Sequence, residues 1–308
     1  MRLLLIVNAT ASSVTARARV EIEKALAADC DLTVAETARR GHAERLARGA
    51  ANDGTDVVVL LGGDGTLNEA ANGLIGSPTV LAPLPGGSTN VFARTIGMSR
   101  DPLEAIDQLL DSLHRRSFRR VGLGNVNGRR FLFHTGIGFD AAVVAQVERR
   151  SQLKRYIGQS LFVASAFLTW FRHYDHSRPR FSVELPGDAG AGDVVDSGYF
   201  AIVSKTSPYT FIGSRPVVVA PEATLESPLS LTVLRTLRFA SVIAVAASSM
   251  GRRSILRRHP RIVSRSGLSS FTVVGPEPFP YQVDGDHLGE VDRLEFTYEP
   301  DALTIVVP

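Results

Sequence analysis

The run Gly62-Gly63-Asp64-Gly65-Thr66-Leu67-Asn68-Glu69 sets three glycines around one carboxylate. It follows the apolar stretch Asp56–Leu61 and leads into residues with helical spacing. It therefore reads as the turn from a buried strand into a helix. Glycine lets the backbone approach a ligand closely and adopt angles closed to other residues. The free amides and positive end of a helix favour phosphate. Asp64 cannot donate to a phosphate. Beside a polyphosphate its chemistry is to hold Mg²⁺, directly or through water. The plain alternative is a tight turn in which Asp64 is only a cap. No Gly-x4-Gly-Lys-Ser/Thr loop is present, so this is not a Walker-type site.

A second loop, Pro85-Gly86-Gly87-Ser88-Thr89-Asn90-Val91-Phe92-Ala93-Arg94, follows the next strand. Ser88 and Thr89 can donate to phosphate or cap a helix. Beside the first loop, Gly87, Ser88 and Thr89 would form a second wall for one nucleotide. Other chemistries are poorly supported. The single cysteine, Cys30, excludes an internal disulfide framework and any multi-cysteine zinc site. No Ser-His-Asp or nucleophilic cysteine arrangement stands out. His173 and His176 have ligand-like spacing but no further His or Cys nearby, and read as surface or cap residues.

The elements that must position these loops follow from the pattern of apolar residues. Up to about residue 117, short apolar strands (Leu3–Val7, Leu32–Glu36, Asp56–Leu61, Thr79–Ala82) alternate with helices. That alternation predicts a mainly parallel sheet covered on both faces, with ligands at the carboxyl ends of its strands. Beyond it, Phe118–Val126, Asn127-Gly128 and Arg129–His134 read as a hairpin with a type I′ turn. Further strands are expected at Phe181–Leu185, Gly198–Ser204, Leu229–Leu234, Phe271–Val274, Tyr281–Val283, Leu294–Tyr298 and Leu303–Val307, and helices at Ala141–Phe171 and Ala240–Leu256. The fold class is thus α/β: an N-terminal nucleotide-binding α/β domain (1–117) and a C-terminal β-rich, sandwich-like domain with inserted helices (118–302). The strand near 303–308 is expected to return to the first domain.

Composition agrees with a folded two-domain chain. Its 308 residues are 44% hydrophobic and 21% charged, and about 150 residues make a domain. Lys+Arg is 34 against 31 Asp+Glu, a net charge of +3. That balance does not demand nucleic acid, and none is expected as a partner. Only Lys24, Lys154 and Lys205 are lysines. The opening apolar run Leu3–Val7 is shorter than the ~7–15 residues of a signal-peptide core. Leu161–Phe171 and Phe239–Ala247 fall short of the ~20 residues that span a bilayer. A cytoplasmic protein is expected, with at most a peripheral seat at the inner face of the membrane. The basic segment Arg149–Tyr156, followed by Phe162, Phe167, Trp170 and Phe171, could touch anionic lipid, against the plainer reading of a core helix with solvated arginines. Oligomeric state is left open, a homodimer included.

With its motifs in order, the chain resembles the diacylglycerol kinase catalytic-domain family, the bacterial soluble lipid kinases related to sphingosine kinases. The resemblance rests on Gly62–Thr66, Pro85–Arg94, Gly136-Ile137-Gly138-Phe139-Asp140-Ala141 and Asp284-Gly285-Asp286. The first motif alone is shared with NAD kinases and phosphofructokinases; the ordered set of four is more specific. The resemblance implies ATP and Mg²⁺ as cofactors, a lipid substrate, and a nucleotide cleft between an α/β domain and a β-rich domain. It implies a first nucleotide loop at Asn8, Ala9, Thr10, Ala11 and Ser12, and a nucleotide contact at Thr37. It adds Gly62, Gly63, Gly65, Thr66, Leu67, Asn68 and Asp284 to the cofactor-binding set. Asp286 falls where the family places its catalytic carboxylate, usually Glu. Asp64 and Asp140 complete the catalytic carboxylates.

Three departures stand out. Ser88 replaces a threonine and keeps the hydroxyl. Val91 replaces a common aspartate. A family metal loop of the form Leu-x-Asp-Gly-x-Leu reads here Leu225-Glu226-Ser227-Pro228-Leu229. Ser227 and Pro228 stand where Asp-Gly would be, so this structural metal site is expected to be incomplete, with Glu226 its nearest carboxylate. The expected function is ATP-dependent phosphorylation of a lipid hydroxyl, with diacylglycerol to phosphatidic acid as the default. The alternatives are an NAD kinase-like enzyme and a non-catalytic nucleotide- or lipid-binding protein.

Overall fold

Runs such as Val57-Val58-Val59-Leu60-Leu61 are too β-branched and too short for helices, and they form the centre of the first of two units. The structure is a computed structural model describing residues 1–138, 178–186, 192–236 and 261–308. The chain divides into Met1–Leu123 with Glu299–Pro308, and Gly124–Tyr298.

In the first unit, β1 (Arg2–Val7), β2 (Asp31–Glu36), β3 (Val57–Gly62) and β4 (Val80–Pro85) alternate with α1 (Ala16–Asp29), α2 (His42–Asn52), α3 (Asp64–Leu74), α4 (Val91–Thr95) and α5 (Pro102–His114). The strands are parallel in the order β2-β1-β3-β4. The C-terminal residues join them, with Ile305 parallel to Leu81. β3 and β4 are buried throughout, the mark of a parallel strand covered on both faces. β2, at the edge, is half exposed. Thr15 caps α1 by accepting from Ala18 N–H, and Asp101 caps α5 with Pro102 in its first turn. Gly73 reads as punctuation in sequence but is a packing residue. A Cβ there would lie 2.3 Å from Glu44 O and 3.0 Å from Ala47 Cβ, so it lets α2 and α3 touch.

The second unit is antiparallel. It contains β6 (Arg129–Phe131), β7 (His134–Gly138), β8 (Phe181–Leu185), β9 (Asp193–Gly198), β10 (Phe200–Ser204), β11 (Thr210–Ile212), β12 (Arg215–Val217), β13 (Leu229–Leu234), β14 (Ile262–Leu268) and β15 (Ser270–Val283). β5 (Phe118–Val126) and β16 (Asp286–Val306) have residues in both units. The strand order is β14-β13-β10-β7-β15-β16, with β8 also on β15. Aromatic rings fill its core: Phe271 stacks on Phe296 at 4.7 Å, and Phe131 meets Phe296 edge-on at 6.3 Å.

The fold class is α/β with a parallel core and a β-rich second part, as the apolar pattern predicts. Several boundaries differ. The expected strand Arg129–His134 is two strands, broken at Leu132-Phe133, because those amides donate to a side chain instead of a neighbouring strand. Phe271–Val274 and Tyr281–Val283 belong to one strand, β15, whose register shifts between Val274 and Phe279. The Asn127-Gly128 turn has both φ angles positive, 48° and 87°, as a type I′ turn requires. The expected helices at Ala141–Phe171 and Ala240–Leu256, the Arg149–Tyr156 segment, His173, His176 and Asp140 lie outside the described residues. No helix among the described residues is long and apolar enough to cross a membrane.

Candidate functional site

The carboxyl ends of β1, β3 and β4 carry the three loops singled out by sequence, and the backbone knits them together. Asn8 N–H donates to Leu61 O, and Gly86 N–H donates to Gly62 O, each at 2.9 Å. Ser13 N–H donates to Gly86 O at 2.9 Å, and its hydroxyl donates to Gly87 O at 3.0 Å. Asn8 Nδ2 donates to Thr66 Oγ1 at 2.8 Å. Its Oδ1 accepts from the hydroxyl and N–H of Thr10. Ala9, Thr10 and Ser12 are exposed, and Ala11 is half-buried with its N–H on Asn8 O. Thr37 directly follows β2 and donates its N–H to Val7 O at 2.9 Å.

The glycines serve one another first. A Cβ on Gly86 would fall 2.8 Å from Gly62 N, and one on Gly87 would fall 2.8 Å from Gly63 Cα. The two Gly-Gly pairs are therefore in backbone contact, which no larger residue at 86 or 87 would permit. Asn90, to which the sequence pattern assigns no role, closes the second loop. It adopts φ 51°, its Oδ1 accepts from Gly87 N–H at 2.7 Å, and its Nδ2 donates to Gly87 O at 2.8 Å. The signal was available, since asparagine tolerates the left-handed region better than most residues.

Asp64 links the two loops. Its Oδ2 accepts from Val91 N–H at 2.8 Å and its Oδ1 from Phe92 N–H at 3.1 Å. It thus caps α4, while its own helix, α3, has Gly63 at the cap position and no side-chain cap. Burial raises the Asp64 carboxyl above its ordinary value; the two amides and the charge of Arg94 pull it back down. Gly63, Asp64, Gly65 and Thr66 remain half-buried at the loop surface, with Ser88 exposed and Thr89 half-buried opposite. Leu67 and Asn68, expected at the nucleotide, are buried. Leu67 is core, and Asn68 is bonded by Asn72.

In the second unit, Asp284-Gly285 is the two-residue turn between β15 and β16, with φ 48° and 87°. Asp284, expected at the nucleotide, is committed to the main chain. It is 4% exposed, and its carboxylate accepts from the N–H groups of Leu132 (2.8 Å), Phe133 (3.1 Å) and His134 (3.0 Å). Asp286 begins β16 and pairs with Arg129, Nη2 to Oδ2 at 3.1 Å. Arg129 was not singled out from sequence, because its partner is 157 positions away. His134 is buried against Tyr209, ring centroids 4.3 Å apart, and burial lowers its imidazole to about 3.

Two metal sites can be tested against these residues. Among the described residues, no cluster of three or more His, Cys, Asp or Glu could hold a metal. A lone Asp64 beside the amides that open α3 fits Mg²⁺ of the kind carried with a polyphosphate, which takes only one or two protein carboxylates. The loop at Glu226, Ser227 and Leu229 does not fit a divalent ion. The Lys205 ammonium donates to the carbonyls of Thr224 (3.0 Å) and Leu225 (2.9 Å) there. Burial lowers Lys205 to about 8, against the raising effect of Glu226.

Residues 2–122 match the diacylglycerol kinase catalytic domain. A Bacillus subtilis (strain 168) protein named diacylglycerol kinase is 29% identical over 224 residues, 71% of this chain and 68% of that one. A Pseudomonas aeruginosa (strain PAO1) protein named "Probable lipid kinase YegS-like" is 28% identical over 281 residues, covering 90% and 85%. In fold, a crystal structure of a diacylglycerol kinase from Bacillus anthracis str. Sterne superposes with a TM-score of 0.71 at 20% identity, over 100% of this chain and 97% of that one. The knitted loops at the ends of β1, β3 and β4 lie inside residues 2–122, the part of the chain that matches the diacylglycerol kinase catalytic domain, and over most of its length the chain is similar to proteins named as diacylglycerol and lipid kinases.

Proposed function

We propose that this lipid kinase uses ATP to phosphorylate a lipid hydroxyl, with diacylglycerol as acceptor and phosphatidic acid as product. The observation that carries the nucleotide reading is the glycine-lined, uncapped start of α3, facing Ser88 and Thr89 across two Gly-Gly pairs in contact. Amides there would bind and orient phosphate oxygens, and positioning with charge neutralisation is most of what phosphoryl transfer needs. Mg²⁺ bound with the triphosphate would neutralise charge on the transferring group, and Asp64 would hold it. Asp286 is the base. Arg129 anchors its Oδ2 and so fixes the plane of the carboxylate. The acceptor hydroxyl gives its proton to Asp286 as its oxygen bonds to the γ-phosphorus. The bond from that phosphorus to the β,γ-bridging oxygen breaks, and ADP leaves. The name of the Bacillus subtilis relative supports diacylglycerol as the acceptor.

The test is transfer from radiolabelled ATP to a panel of diacylglycerol, monoacylglycerol, sphingoid base and polyprenol, with NAD as control. Label on diacylglycerol is expected. Asp286→Asn should lower turnover by ~10²–10⁴-fold with the ATP KM nearly unchanged. Label on NAD alone, or an Asp286→Asn effect confined to the ATP KM, would refute the reading.

A further inference from the structure

Lys205 directly follows β10, and its side chain is completely buried. A buried ammonium needs acceptors, and the loop after Ala223 supplies them. Nζ donates to Thr224 O at 3.0 Å and Leu225 O at 2.9 Å, and lies 5.5 Å from the centre of the Tyr298 ring. The Tyr298 hydroxyl donates to the next carbonyl, Glu226 O, at 2.7 Å. Ser227 closes the loop on Thr224: its hydroxyl accepts from Thr224 N–H at 2.8 Å and donates at 3.3 Å to Thr224 O, the carbonyl that also accepts from Lys205, and its N–H donates to Thr224 Oγ1 at 3.1 Å. Converging backbone carbonyls with a carboxylate residue alongside are the donor set a hard cation takes. Here an ammonium holds two of the carbonyls.

We propose that Lys205 Nζ is the built-in cation of the Thr224–Leu229 loop, standing where a divalent ion would otherwise bind and making the order of this loop independent of metal. Composition points the same way. Only three of the chain's 34 cationic residues are lysines, and Lys205, buried against this loop, is one of them. A compact ammonium with three rotatable donors can sit among carbonyls as an ion does; the planar guanidinium fork cannot. The same substitution explains the departure at Ser227-Pro228. With the charge supplied by Lys205, a carboxylate at position 227 is not needed. The inference is independent of the kinase reading and is tested without nucleotide.

Thermal melts of the full chain are recorded with EDTA, Mg²⁺ or Ca²⁺. A site with Kd about 0.1 mM would raise the Tm by roughly 5–10 °C at about 10 mM ion. No such rise is expected for the wild type. Lys205→Met, similar in length but uncharged, should lower the Tm by roughly 5 °C or more and expose the loop to protease, because the carbonyls of Thr224 and Leu225 lose the charged donor that ties them to the end of β10. Ser227→Asp alone should remain insensitive to Mg²⁺, since Lys205 still holds the carbonyls. A large Mg²⁺ or Ca²⁺ shift in the wild type or in Ser227→Asp would overturn the proposal, as would a Lys205→Met protein that melts like the wild type. Should Lys205→Met not fold, calorimetric titration of the wild type with Mg²⁺ and Ca²⁺ decides: no binding heat supports the proposal, and a stoichiometric site refutes it.

Discussion

Two aspartates, each followed by a glycine, do similar local work in different surroundings. Asp64, in the first unit, joins the start of α3 to the start of α4 through two amides. Asp284, in the second, takes three amides from the Leu132–His134 break, in a residue that is 4% exposed. Sequence analysis expects both to face a ligand, Asp64 from its glycine-rich loop and Asp284 from the family resemblance. The structure separates them. Asp64 stands among half-buried residues at the strand ends. Asp284 is a buried acceptor that shapes the hairpin, and the next carboxylate, Asp286, is the one turned toward a cation. An Asp-Gly pair can be a phosphate loop, a type I′ turn or both. What decides is the number of amides the carboxylate must satisfy and its access to solvent.

The largest effect expected from this contrast is at Asp284. In Asp284→Ala three buried N–H groups lose a charged acceptor, each such bond being worth about 1.5–3 kcal/mol. A loss of at least about 4 kcal/mol is expected in urea melts, with Asp284→Asn costing less because one acceptor oxygen remains. A loss below about 1 kcal/mol would place Asp284 with the ligand-facing residues after all.

Acid should affect the two regions with opposite sign. His134 titrates at about 3 when folded, against an ordinary value of 6.5. Between those values the unfolded chain binds the extra proton. The contribution of neutral His134 is therefore complete above pH 6.5 and lost as pH falls toward 3. By pH 5 that amounts to roughly 2 kcal/mol. Asp64 is raised, so in its window the folded state holds the extra proton, and its contribution falls as pH rises. Wild type and His134→Gln melted from pH 7 to pH 4 should diverge, with the variant flatter. Parallel curves would show that the buried imidazole is not the group that resists protonation.

What sequence disclosed was the part that depends on local pattern. Continuous apolar strands, helical spacing, the Asn127-Gly128 turn and the glycine loops are short-range signals, and the structure places them within a few residues of expectation. What it concealed depends on partners far along the chain. The break at Leu132-Phe133 exists because Asp284 is about 150 positions later. Arg129 acquires meaning only beside Asp286, and Lys205 only beside Thr224 and Leu225. β14 carries Ser264, Arg265 and Ser266 and is not among the strands expected from the apolar pattern; its pairing with β13 makes it one. The glycines of the second loop were legible as glycines but not for their reason, the contact with Gly62 and Gly63.

The smallest stability effect is expected where the functional effect is large, at Asp64→Asn. Burial already works against the ionised carboxylate there, so a neutral, isosteric amide is relieved of that cost. One oxygen can still accept from Val91 or Phe92, while the other amide loses a partner worth about 1 kcal/mol. The two terms oppose, and a net change within about 1 kcal/mol in urea melts is expected, against several for Asp284→Ala. Transfer from ATP to lipid should nonetheless fall by at least ~10²-fold, the scale on which removing one preorganised electrostatic group lowers turnover. A variant that folds normally but does not transfer phosphate would mark Asp64 as the aspartate that serves the ligand. A variant that unfolds like Asp284→Ala would mean that its bonds to Val91 and Phe92 are its main work. The phosphate-facing role would then belong to the amides of Gly63 to Thr66 alone.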